Sequence, residues 1–111
     1  MNVYDKAHEL AKALKESSEF TAFKKSKELI TDGNDKKVID EFRKKQLEAY
    51  QEQVQNGKLS DEMKNSLQIL YEDASKNPKI KEYLMSEERF GLIWADIMKI
   101  LTQAVEIDDK D

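Results

Sequence analysis

His8 is the only histidine in this chain, and cysteine is absent. These two facts bound the available chemistry. Carboxylate-bridged di-iron bundles need Glu-x-x-His on two helices, so one histidine excludes that pattern. A histidine-based triad is conceivable, but Ser, Asp and His stand here without motif context. His8 therefore reads as a solvated or boundary side chain. Lack of cysteine excludes disulfides, thiolate catalysis, thiolate zinc sites and cysteine-held iron–sulfur clusters. It also fits a reducing compartment.

Two acidic pairs, Asp61-Glu62 and Glu87-Glu88, are the remaining candidates for acid–base work or cation binding. Adjacent helical positions point about 100° apart, so neither pair converges on one substrate. Each pair follows a serine, Ser60 or Ser86, and carboxylates are favourable at a helix start. Asp108 and Asp109 read as a solvated tail. The three glycines are isolated, so no phosphate-cradling loop exists. No catalytic residue, metal ligand or cofactor site is expected.

The remaining chemical signal is basic. Lys24, Lys25, Lys27, Lys36, Lys37, Arg43, Lys44 and Lys45 make the middle of the chain locally cationic. The candidate patch is Lys24, Lys25, Lys36, Lys37, Arg43 and Lys44, grouped where two helices meet at the Asp32 loop. Such a patch suits RNA or an acidic protein. Glu28, Asp40 and Glu41 are mixed into it, which also fits an ordinary solvated face. Tyr50, Tyr71 and Tyr83 read as core-edge residues rather than base-stacking platforms. The whole chain is acidic, with net charge −4 and pI near 5.1. That average argues against a dedicated nucleic-acid binder, which needs a basic footprint.

Composition determines what holds these residues. The 111 residues suit one domain, expected over 1–107, with an acidic frayed tail at 108–111. Charged residues make up 38%, against about 25% in an average globular protein, so the core is thin. Three glycines and one proline are too few for the turns of a sheet protein of this length. Strong helix formers dominate. The opening, MNVYDKAHELAKAL, lacks a basic region followed by an apolar run and does not read as a signal peptide. No apolar stretch is long enough to span a bilayer. A cytoplasmic location is expected.

Five helical segments follow from periodicity and capping. The first covers Val3 to Glu16, with Val3, Ala7, Leu10, Ala11 and Leu14 on one face. Serines 17 and 18 interrupt it, and a serine there caps the next segment. The second covers Glu19 to Ile30, with Phe20, Phe23 and Ile30 inward. The loop Thr31-Asp32-Gly33-Asn34-Asp35 follows, with Asp35 placed to cap a third segment, Lys36 to Asn56. Its apolar side is Ile39, Phe42, Ala49 or Tyr50, and Val54, and Gly57 terminates it. Ser60 starts the fourth segment, which carries Met63, Leu67, Leu70, Tyr71 and Ala74. Asn77-Pro78 ends it. The fifth runs from Pro78 to Glu106 as one helix, roughly 40 Å long at 1.5 Å per residue, although Ser86-Glu87-Glu88 resembles a start signal.

This last segment is unusually apolar. Between Phe90 and Val105, eleven of sixteen residues are hydrophobic. Phe90, Ile93, Ile97, Ile100 and Ala104 form one stripe. Trp94, Met98, Leu101 and Val105 form an adjacent one, and Leu92 widens it. A surface helix ordinarily buries one stripe a little over 100° wide. A chain with so thin a core has little with which to cover two. One side is expected to pack on the chain's own helices and the other on a second subunit. The candidate interface is Phe90, Ile93, Trp94, Ile97, Met98, Leu101 and Val105.

Together the segments resemble the YlbF/YmcA family of small bacterial helical proteins, nearest its YheA-like branch. The resemblance rests on Tyr4-Asp5-x-Ala7, Leu10, Ala13-Leu14, Ser17, Glu19, Phe20 and Lys24, then on Glu41-Phe42-Arg43, Gln46-Leu47, Gln51, Gln53 and Gly57. The C-terminal helix resembles the family in apolar pattern. The resemblance implies an all-helical protein that dimerises through long helices. Some members are similar to adaptors of a complex controlling RNA-processing endonuclease activity, competence, sporulation and biofilm formation. Those complexes are associated with cysteine-held iron–sulfur clusters, a role that a cysteine-free chain cannot carry over.

The expected fold is all-α: an elongated antiparallel bundle of four to five helices with a long C-terminal helix, dimeric. The expected function is non-enzymatic regulation or scaffolding through protein–protein contacts, as a homodimer with an unidentified protein partner. The alternative is an RNA-associated adaptor of an RNA-processing or degradation complex, using the lysine-rich middle. Neither a membrane nor a small-molecule substrate is expected.

Overall fold

The structure, a computed structural model, describes residues 2–107. The expectation of a frayed tail at 108–111 lies outside the described residues. Five α-helices follow one another: α1 (Val3–Glu16), α2 (Ser18–Glu28), α3 (Gly33–Asn56), α4 (Asp61–Ala74) and α5 (Pro78–Ala104). No strand occurs among the described residues. The all-helical fold and the long unbroken last helix agree with the sequence reading.

The helix boundaries are set by local hydrogen bonds. Asn2 Oδ1 accepts from the Tyr4 N–H at 2.8 Å and so caps α1. Ser17 serves two helices at once. Its hydroxyl donates to the Leu14 carbonyl at 2.7 Å and accepts from the Phe20 N–H at 3.1 Å. Ser60 Oγ accepts from the Met63 N–H at 3.2 Å and starts α4. Gly57 ends α3 with φ of 77°, in the left-handed region that favours glycine.

Five boundaries differ from expectation, two of them being α2, which begins at Ser18 rather than Glu19, and α5, which ends at Ala104 rather than Glu106. Asp32, not Asp35, caps α3: its Oδ1 accepts from the Asn34 N–H at 2.7 Å and the Asp35 N–H at 3.3 Å. The helix thus begins at Gly33, three residues early, and Asp35 falls in its first turn. Asp35 is engaged elsewhere, accepting from Asn77 Nδ2 at 3.0 Å. Helix α2 ends at Glu28 and α4 at Ala74, each short of the sequence limit. After α4 the Ser75 N–H still bonds to the Tyr71 carbonyl. Turn residues then lead to Asn77, whose Oδ1 accepts from the Lys79 N–H at 2.9 Å and starts α5.

The contacts divide the chain into two compact units: Ser26–Tyr83, and Met1–Lys25 together with Leu84–Asp111. Helices α2 and α5 contribute to both. In the first unit α3 packs on α4. Its core holds Ile30, Ile39, Phe42, Ala49, Ala74, Ile80 and Tyr83. The Phe42 and Tyr71 rings meet at 5.9 Å between centroids, a separation typical of attractive aromatic pairs. On α3 the inward choice at 49/50 falls to Ala49. Tyr50, the alternative to Ala49, is exposed, and so is Val54, which was expected inward.

In the second unit Phe90 of α5 meets two rings of α2, Phe20 at 5.3 Å and Phe23 at 6.0 Å between centroids. Leu84 and Ser86 are buried at the start of this stretch, Ser86 with only 1% of its surface accessible. Helix α5 runs through Ser86 without a break. Helix α1 has no buried residue. Leu10 and Leu14 are half-buried, whereas Val3, Ala7 and Ala11, expected inward, are exposed.

Candidate interaction surfaces

Two surfaces stand out once the cores are accounted for, one in each unit. Among the described residues, no group of three histidines, cysteines or acidic residues could hold a metal ion. No helix there is long and apolar enough to cross a membrane.

The first surface lies on α5. Of the seven side chains expected at a subunit interface, Phe90, Ile93 and Ile97 are half-buried within the chain. Phe90 is engaged by the α2 aromatics described above. Trp94, Met98, Leu101 and Val105 are exposed, with 50% of Trp94, 47% of Leu101 and 77% of Val105 accessible. Ile100, on the same stripe as Phe90, Ile93 and Ile97, is exposed as well, as is Leu92. The two stripes thus differ: one is partly covered by the chain itself, and the other is bare.

The bare stripe has a regular geometry. Trp94, Met98, Leu101 and Val105 follow one another at spacings of four, three and four, the a/d repeat with which two helices interlock along a seam. One step earlier on the seam, three residues before Trp94, stands Gly91. Glycine inside a helix costs about 1 kcal/mol relative to alanine. A β-carbon at Gly91 would meet nothing within 4 Å in the chain. Nothing in the chain's own packing therefore calls for glycine there.

The second surface is a pocket of about 390 Å³ within Ser26–Tyr83, lined by Lys27, Ile30, Lys36, Ile39, Asp40, Arg43 and Tyr83. Lys36, Ile39, Asp40 and Arg43 fall at i, i+3, i+4 and i+7 of α3, which places all four on one helix face. Ile30, Ile39 and Tyr83 are buried and form an apolar floor. Arg43 donates from Nη2 to the Tyr83 hydroxyl at 2.5 Å, and its guanidinium carbon lies 5.5 Å from the centre of the same ring. One buried aromatic therefore orients the cation. Lys27 and Lys36 are exposed at the rim.

The pocket draws together only part of the lysine-rich middle. Lys36 and Arg43 line it. Lys27, in the basic region but outside the candidate patch, joins them. Lys37 and Lys44 are exposed on α3 away from the lining. Lys45 pairs with Glu48 at 3.1 Å. Lys24 and Lys25 belong to the other unit. Tyr83 was legible only as a core-edge residue, because its partner Arg43 is forty positions away.

Comparison with known proteins adds a family. The sequence profile described as "Control of competence regulator ComK, YlbF/YmcA" matches residues 3–106. A UPF0342 protein of Caldicellulosiruptor saccharolyticus is 48% identical over 110 residues, covering 98% of this chain and 92% of that protein. A UPF0342 protein of Clostridium tetani is 40% identical, covering 97% and 94%. Another, of Clostridium novyi, is 42% identical, covering 100% and 98%. No solved structure matches significantly.

Proposed function

Because the chain belongs to the YlbF/YmcA family, whose description is regulatory, we propose that it is a non-enzymatic cytoplasmic regulator or scaffold that acts through protein–protein contacts as a homodimer. The observation that carries this reading is the bare seam Trp94–Met98–Leu101–Val105. Contiguous exposed apolar patches of this kind mark interfaces, and a helix pairing with its own copy is the simplest closed solution. Gly91 supports it, since a glycine in an open position on the seam suits the close approach of a second backbone. Helix α1 supports it too. It is 14 residues long and has no fully buried residue, and isolated helices of that length are marginal in water. A second subunit would give its half-apolar face something to cover.

Light scattering at micromolar concentration tests the reading. Wild-type protein should show twice the chain mass, and Leu101→Asp the mass of one chain. A well-folded single chain in the wild type would refute it.

The second reading is an RNA-associated adaptor. It is favoured by the exposure of Lys36, Lys37 and Lys44 on α3. RNA binding that weakens steeply with salt, and is lost when these three lysines are replaced, would select it over the first.

A further inference from the structure

We infer that the pocket of α3 receives an acidic segment of a partner protein, seating a side-chain carboxylate between Lys27, Lys36 and Arg43 and a neighbouring apolar side chain on Ile30 and Ile39. This specifies a second contact for the protein-binding regulator proposed above and rests on that reading.

Three cations and one carboxylate line the pocket, leaving a formal excess of two positive charges around an apolar floor. Among the described residues neither Lys27 nor Lys36 pairs with a carboxylate. Both ammonium groups therefore keep their bonding capacity for a ligand. Arg43 is held by Tyr83, and a side chain oriented before binding loses less freedom on binding. The floor is built from buried Ile30, Ile39 and Tyr83, which gives an apolar group a place to leave water. A ligand complementary to all of this is anionic at one end and apolar beside it. Acidic residues next to leucine or isoleucine in a peptide have that form.

Asp40 decides between an acidic peptide and a nucleic acid. It lies one helical turn from Lys36 on the same face of α3 and lines the pocket together with the three cations. A phosphate backbone presents negative charge at every step, so Asp40 would oppose it. A peptide presents one carboxylate together with backbone N–H groups, which Asp40 can accept. The net charge of −4 disfavours a polyanion further. At about 390 Å³ the pocket is at the small end for organic ligands, enough for one or two side chains.

The test is a titration of full-length, ¹⁵N-labelled protein, followed by amide shifts, with three probes. These are an acetylated and amidated peptide with one glutamate flanked by leucines in an otherwise neutral sequence, its glutamine counterpart, and a uridine oligonucleotide of similar length. The glutamate peptide should shift amides of Lys27, Lys36, Ile39 and Tyr83. The glutamine peptide should bind about tenfold more weakly. The exposed pair Lys27→Gln/Lys36→Gln should lower affinity for the glutamate peptide about tenfold, with the helical circular-dichroism signal unchanged. Equal binding of the two peptides, shifts elsewhere on the surface, or an unaffected double variant would overturn the proposal. A preference for the oligonucleotide at the same residues would overturn it in favour of RNA. The pocket and the α5 seam are read by different measurements. A dimer with an unresponsive pocket refutes the pocket alone, whereas a responsive pocket on a single-chain protein refutes the dimer alone.

Discussion

Asn77 donates from Nδ2 to Asp35 Oδ1 at 3.0 Å while its Oδ1 accepts from the Lys79 N–H at 2.9 Å. One side chain thus starts α5 and ties that start to the first turn of α3, forty-two positions earlier. Losing a cap costs about 1 kcal/mol, and losing a side-chain hydrogen bond about the same. Asn77→Ala should therefore lower unfolding stability by about 2 kcal/mol. Asn77→Asp keeps the cap but faces Asp35 with a like charge. Adding Asp35→Asn to Asn77→Asp restores a donor–acceptor pair. Urea unfolding of wild type, Asp35→Asn, Asn77→Asp and the double variant forms a cycle, and an additive result would show that the two residues do not interact.

Leu101→Asp and Ile97→Asp should both weaken self-association. A carboxylate placed in a closed apolar seam is left without a partner, at a cost of several kcal/mol. The dissociation constant should rise at least about a hundredfold, equivalent to about 3 kcal/mol. Leu101 stands on the bare stripe and Ile97 on the half-buried one, so Ile97→Asp should also lower the stability of the single chain. Sedimentation over a range of concentrations separates the two effects. If both variants keep the wild-type mass, the seam is not the interface.

Gly91→Ala separates local from intersubunit causes. Within one chain the β-carbon has room, so the change should raise helix stability by up to about 1 kcal/mol. If a second backbone approaches there, the same methyl should instead weaken the dimer. The expected outcome is weaker association together with a stabler dissociated chain. Stronger or unchanged association would remove Gly91 from the seam.

Two other glycines form a contrasting pair. Gly57→Ala should destabilise by about 1 kcal/mol, because φ of 77° is unfavourable for any residue with a β-carbon. Gly33 opens α3 with negative φ and open space around it. Gly33→Ala should stabilise by about 0.5 kcal/mol, chiefly by restricting the unfolded chain. Thermal unfolding checks both signs.

What the sequence made legible was local. Ser17, Ser60 and Gly57 act within four residues of themselves, so capping chemistry could place them. In the loop 31–35 the sequence reading placed the cap at Asp35 and took Asp32 and Gly33 as loop. Only the structure shows that Asp35 is taken by Asn77, which leaves Asp32 to begin the helix. The α5 stripes were visible because eleven apolar residues in sixteen exceed one face, although Ile100 proved exposed. The pocket was not visible. It requires Lys27, Lys36, Arg43 and Tyr83 together, residues from three helices, and helical periodicity carries no information on such distant pairings. Val54 was misplaced, and Ala49 and Tyr50 left undecided, for the same reason: an apolar residue on α3 is inward only if a neighbouring helix reaches it.

Trp94 is the sole tryptophan of the chain and half of its surface is accessible. A single indole on a bare seam is a built-in gauge. Its emission colour tracks the polarity around one known point, with no dye attached and no second chromophore of its kind to blur the signal. Dilution alone would then trace the association curve of the unmodified protein, and any ligand that loosens or tightens the seam would register as a change of hue.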